Sequence, residues 1–178
     1  GGFVFLHLGN FPPPFGATED LWRVGFDSSP GNDTNDIRRR WTVGPAGANN
    51  TAPFYAVKYR KFFGAADPDN YIVFRYAETL LINAEAQNEL QGPNATSLQV
   101  INTLRARARG TLDNRTYLGL PPLALPATRD SLRTLIRNER RRELALEGVR
   151  WYDLLRYGNA AAMEAVSRST GTVFNNPN

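Results

Sequence analysis

From Asn70 onward apolar residues recur at three- and four-residue steps, and that spacing commits the second half of the chain to packed helices. In YIVFRYAETLLINAEAQNELQ, residues Val73, Tyr76, Ala77, Leu80, Leu81 and Ala84 fall on one helical face. Asp69 or Asn70 is placed to cap the start of this helix, and Gly92 with Pro93 to end it. NATSLQVINTLRARARG predicts a second helix, with Leu98, Ile101 and Leu104 inward and Gly110 as its stop. Their short connection makes the two antiparallel neighbours, an αα-hairpin. The Leu- and Pro-rich residues 111–126 are expected to lie against the core. Thr128 then caps a third helix whose Leu132, Leu135, Ile136, Glu139, Leu144 and Leu146 run on to Gly148. VRWYDLLRYG predicts a short helix ending at Gly158, with Trp151 and Tyr152 in the core beside Leu154 and Leu155. NAAAMEAVSRS adds a turn or two.

The first seventy residues have a different texture. FPPPFG, SSPGNDTND and GPAGANNTAP are turn and loop chemistry, leaving room for short strands at most, of which FYAVKYRKFF (54–63) is the best candidate. The expectation is one mostly α domain over 1–178: a loop-rich part (1–70), a helical scaffold (71–160) and a tail (161–178). The paired helices resemble tetratricopeptide-type stacking, although a repeat of about 34 residues is absent.

The net charge of +4 permits an acidic partner without requiring one. Of the 21 basic residues only Lys58 and Lys61 are Lys, and the Arg residues are interspersed with Glu and Asp along the helices, the pattern of paired or solvated faces rather than a polyanion surface. With no Cys there is neither a disulfide framework nor a zinc–cysteine site, and the single His7 argues against a His-based metal site or triad. Asp67, Asp69 and Asn70 offer oxygen ligands for Ca²⁺, but the spacing and the lack of a closing Glu favour a turn and helix cap. No cofactor is expected.

The densest charge lies in IRNERRRELALEGVRWYDLLRYG (136–158). There Glu139, Glu143 and Glu147 are spaced by four, on one face if the helix is continuous. Carboxylates so placed repel unless cations meet them, and without His at helical spacing the available cations are Arg side chains. An interhelical network is therefore expected to join Glu78, Glu139, Glu143, Glu147 and Asp153 to Arg75, Arg105, Arg107, Arg140, Arg142 and Arg150.

Three ordered blocks, FRYAETLLINAEAQNE (74–89), INTLRARA (101–108) and the segment 136–158, together with DIRRRWTV (36–43) and VKYRKF (57–62) upstream, resemble the C-terminal helical half of the SusD/RagB family. The resemblance spans roughly residues 36–160. It implies a SusD-like, mostly helical fold with tetratricopeptide-like hairpins, in a lipoprotein anchored through an N-terminal region on the extracellular face of the outer membrane. It further implies a non-enzymatic protein that captures an oligosaccharide, or in some members a peptide, for a SusC-like TonB-dependent transporter. Family members are longer, so the chain resembles the second half of such a protein.

Sugar rings present apolar C–H faces, bound by aromatic stacking while amides and charged groups take the hydroxyls. The candidates are Trp41 and Trp22, then Tyr55, with Asn49 and Asn50 as polar partners; the plainer alternative for each aromatic is core packing. Two other function classes compete. An Arg-rich module for nucleic acid or another polyanion would show steep salt dependence, and a glycoside hydrolase would need two carboxylates facing across a cleft. A helical protein-interaction module is the plainest alternative.

Overall fold

The computed structural model describes residues 16–17, 21, 36–45, 54–56, 58, 72–112 and 115–170. Along the chain these form β1 (Gly16–Ala17), α1 (Arg38–Thr42), β2 (Val43–Pro45), β3 (Phe54–Ala56), α2 (Tyr76–Gln91), α3 (Ala95–Arg107), β4 (Arg109–Leu112), β5 (Arg115–Leu118), α4 (Arg129–Glu143), α5 (Arg150–Tyr157) and α6 (Asn159–Thr170). The fold is mostly helical, as the periodicity predicts. Contacts divide it into two compact units interleaved in sequence. One holds, among the described residues, Asp36–Arg38 and Ile72–Leu144; the other holds β1, Leu21, Arg39–Thr42, β2, β3, Lys58 and everything from Ala145 onward.

The first unit is a three-helix arrangement in which α2, α3 and α4 pack against one another. Its core is built from Ala77, Leu81 and Ala84 of α2, Ile101 and Leu104 of α3, and Leu132 and Ile136 of α4, all buried. The helix spacing read from sequence is sound, but its first turn is not. Val73 and Tyr76 are 81% and 75% exposed, because α2 starts only at Tyr76 and its inner stripe runs Ala77, Leu81, Ala84, Glu85 and Asn88. Arg75, rather than Asp69 or Asn70, is the residue before the helix. It makes no side-chain cap, and its carbonyl accepts from Glu78 N at 2.9 Å.

The next two helix starts follow local chemistry. Asn94 Oδ1 accepts from Ser97 N at 2.8 Å to cap α3, and Thr128 Oγ1 accepts from Ser131 N at 3.2 Å to cap α4. Polar side chains then stitch the helices together. Ser97 Oγ donates to Ala84 O at 2.9 Å, and the fully buried Asn88 donates through Nδ2 to Arg129 O at 3.0 Å.

Between α3 and α4 the chain is more regular than expected. β4 and β5 pair antiparallel with Arg109 opposite Leu118 and Leu112 opposite Arg115. Gly110 is thus a strand residue, and the helix ends three residues earlier, at Arg107. Tyr117, 1% exposed, anchors the hairpin to the core. The Leu- and Pro-rich stretch beyond it lies on α3: Asn102 exchanges two hydrogen bonds with the backbone of Leu123, and Arg105 Nε donates to Pro121 O at 3.0 Å.

The second unit contains a small antiparallel sheet in the order β1–β3–β2. Tyr55 is the central register point, opposite Gly16 on one side and Gly44 on the other. Leu21, Val43 and Ala145 form a buried cluster, with Leu146 packed against it. α5 and α6 pack together. α6 is a continuous helix from Asn159 to Thr170 rather than a turn or two. Trp151 and Tyr152, expected in the core, are 54% and 71% exposed. The inner face of α5 is instead Asp153 and Leu154, since a helix this short buries only one narrow stripe.

Candidate functional site

Two places collect the residues that the sequence singles out. The first is a charged cluster in the three-helix unit. The inward stripe of α4 is Leu132, Ile136, Glu139, Arg140 and Glu143, apolar in its first half and ionic in its second. α4 ends at Glu143, and the chain turns through Leu144–Leu146, with Leu146 at φ 64° and Gly148 at φ 82°. The expected continuation to Gly148 does not occur. Glu147 is therefore off the helix that carries Glu139 and Glu143 and belongs to the other unit.

Arg38 is the hub of this cluster. Its Nε and Nη2 engage Asp36 at 2.9 and 2.7 Å, and its Nη1 reaches both Glu139 Oε1 and Glu143 Oε2 at 2.7 Å. Burial works against its charge, but the hydrogen bond to Asp36 and the fields of Glu139, Asp36 and Glu143 raise its pKa above the ordinary value. Sequence reasoning missed Arg38, although it stands in the DIRRRWTV block; nothing local tells which of three consecutive Arg points inward.

Glu143 meets three arginines. Besides Arg38 it accepts from Arg75 Nη1 at 2.6 Å and from Arg107 Nη2, while Arg75 Nη2 also takes its main-chain carbonyl, a helix-end acceptor otherwise left open. Burial alone would raise the Glu143 pKa; Arg38, Arg75 and Arg107 more than offset this and hold it near about 2. Glu139, fully buried, also faces Arg142 at 3.5 Å and Arg105 at 3.9 Å. Burial is the main reason the Arg105 pKa is lowered, with Glu139 opposing. Arg140 pairs with Glu78 at 2.8 Å, joining α4 to the first turn of α2. At the opposite end of α4, Arg133 holds Glu89 and Asp130.

Charges so fully committed to one another and to three helices are scaffolding chemistry. Among the described residues no group of three or more His, Cys, Asp or Glu is arranged to hold a metal ion; Asp67, Asp69 and Asn70 lie outside them.

The second place is the small sheet. Trp41 stands on α1, 46% exposed, immediately before the buried Thr42 and Val43. Tyr55 is in β3, paired across to Gly44. Trp22, Asn49 and Asn50 lie outside the described residues; Leu21 is in the core cluster with Val43. Positions 21, 41 and 55, distant in sequence, are thus neighbours of one sheet and its core. Lys58, also missed from sequence, donates to Ala145 O at 3.0 Å and pairs with Glu147. Arg150 opens α5, half-buried, and Asp153 accepts from Arg156 at 3.4 Å on the same helix.

Residues 64–177, more than half of the chain, match the SusD family, and the chain belongs to that family. It is 39% identical over 113 residues to SusD-like protein P2 of Formosa agariphila, a match covering 59% of this chain and 22% of that protein. SusD-like protein P25 of the same organism is 43% identical over 90 residues, covering 51% of this chain and 16% of that one. The crystal structure of a SusD homolog from Bacteroides thetaiotaomicron is similar with a TM-score of 0.54 at 27% identity, over 72% of this chain and 32% of the other. The chain spans about a fifth of the length of these curated relatives and about a third of the solved protein. The family match covers the helices α2 to α6, whereas Arg38, Trp41, Tyr55 and Lys58 precede it.

Proposed function

We propose that this chain is part of a non-catalytic, cell-surface nutrient-binding protein that captures an oligosaccharide and delivers it to a SusC-like TonB-dependent transporter in the outer membrane. The observation that carries the reading is membership of the SusD family over residues 64–177. The ionic cluster supports it from another side: its acids are held by arginines and do not resemble an acid/base pair awaiting a substrate. On this reading attachment is by a lipid anchor on an N-terminal region, as the family resemblance implies; no described helix is long and apolar enough to cross a membrane.

Trp41 is the first candidate for stacking under a sugar ring, since its side chain is half-exposed on the helix that leads into β2. Trp22, Tyr55, Asn49 and Asn50 are the further candidates. Isothermal calorimetry on the full-length protein, guided by a glycan array, tests this. Trp41→Ala and Trp22→Ala are each expected to weaken binding by about tenfold, the equivalent of about 1.4 kcal/mol. Unchanged affinity in both removes them from the site. Affinity that collapses with added salt and shows no sugar preference marks a polyanion binder instead.

A further inference from the structure

In the unit that carries Trp41 and Tyr55, one ammonium group spans a strained turn. Lys58 Nζ donates to the carbonyl of Ala145 at 3.0 Å and to the carboxylate of Glu147, so its two acceptors lie on either side of Leu146. Leu146 stands at φ 64°, a left-handed conformation that an L side chain adopts at a cost. Such a residue persists where its surroundings over-determine it, and strained positions of this kind gather at functional sites. Here the surroundings are the Lys58 bridge and the packing of Leu146 against Leu21, Val43 and Ala145. The Lys58 and Glu147 side chains are 18% and 4% exposed, so the bridge is largely withdrawn from water.

Both ends of the bridge lead to the candidate ligand residues. Lys58 lies three residues beyond Tyr55, whose strand pairs with β2 through Gly44. Val43, the first residue of β2, touches the Leu146 cluster and stands two residues after Trp41. We propose that Lys58 is a positioning residue for ligand binding: by locking the 145–147 turn it holds the β2–β3 pair, and with it Trp41 and Tyr55, in the geometry that receives a sugar. This rests on the reading that Trp41 stacks on an oligosaccharide.

The test is calorimetry on the full-length protein, well below its melting temperature, against maltohexaose, xylohexaose, cellohexaose and mannohexaose. The variants are Trp41→Ala, Lys58→Met, Lys58→Arg, Glu147→Gln and, as a stability control from the core of the other unit, Ile136→Val. Melting curves and acrylamide quenching of tryptophan fluorescence accompany each. Lys58→Met and Glu147→Gln are expected to weaken binding of the best hexasaccharide at least tenfold and to raise quenching. Lys58→Arg regains most of the affinity, and Ile136→Val binds as the parent does despite a lower melting temperature. If Lys58→Met does not fold, Glu147→Gln, which keeps size and removes charge, carries the comparison. Parent-like affinity in the Lys58 and Glu147 variants, with binding lost in Trp41→Ala, overturns the positioning role and leaves stacking intact. Equal losses in Ile136→Val overturn it as a general stability effect. An unaffected Trp41→Ala, or a parent that binds none of the four sugars, overturns the stacking reading and the positioning role with it.

Discussion

Replacing Arg38 by Met separates a buried ionic hub from its exposed satellites. Met keeps much of the aliphatic volume, so the charge and its hydrogen bonds are what is lost. The Arg38 side chain is 12% exposed and meets three carboxylates that are 2%, 0% and 2% exposed. Without it Asp36 loses its guanidinium partner, Glu139 is left with Arg142 at 3.5 Å and Arg105 at 3.9 Å, and Glu143 keeps Arg75 and Arg107. Stranding buried acids in this way costs about 3 to 5 kcal/mol. For a chain of this size that lowers the melting temperature by about 10 °C. The internal control is Arg107→Met. Arg107 is 58% exposed and Glu143 retains two arginines without it, so the loss should stay under about 1 kcal/mol. Thermal melts followed by circular dichroism, with urea titrations to check the slope, measure both. An Arg38→Met melt within about 2 °C of the parent, or equal losses in the two variants, would refute the hub.

Further outcomes follow from the same geometry. Glu143 has its pKa depressed from 4.5 to about 2, so it binds a proton more readily in the unfolded chain. Its contribution, about 3 kcal/mol, is fully present above pH 4.5 and drains away as pH falls toward 2, which urea midpoints across that range will show. Arg38→Met should flatten this acid limb. Asn94→Ala removes the α3 cap and is expected to cost about 1 kcal/mol in urea titrations. Gly119→Ala should cost about 1 to 2 kcal/mol, because φ is +77° and an added Cβ would stand 2.8 Å from Arg109 Cγ and 3.2 Å from Arg105 O; a parent-like melt would show that the β5 exit relaxes.

The helices and the Thr128 cap were legible in the sequence because those signals are local: apolar spacing within one helix, and a side chain reaching its own backbone. The β4–β5 hairpin was not, though Asp113 and Asn114 between Thr-Leu and Arg-Thr-Tyr are turn formers that hint at it. Short strands depend on what they pack against, and Tyr117 finds its place only in the assembled core. The charged cluster was half legible. Its acids and several of its arginines stand out by spacing, but Arg38 is distant in sequence from Glu139 and Glu143, as Lys58 in the other unit is from Glu147.

By itself, the sequence determined the helical character, the Thr128 cap and the family, all written in residues a few positions apart. Only the tertiary structure decided that α4 stops at Glu143, which sends Glu147 to Lys58 and leaves Glu143 to three arginines. It also decided that Trp151 and Tyr152 face outward. The physical reason is the same in each case. Nothing in Ala-Leu-Glu-Gly forbids another helical turn, and nothing in Arg-Trp-Tyr-Asp selects an inner face. Both choices are made by contacts formed across the chain, where packing and paired charge outweigh local propensity.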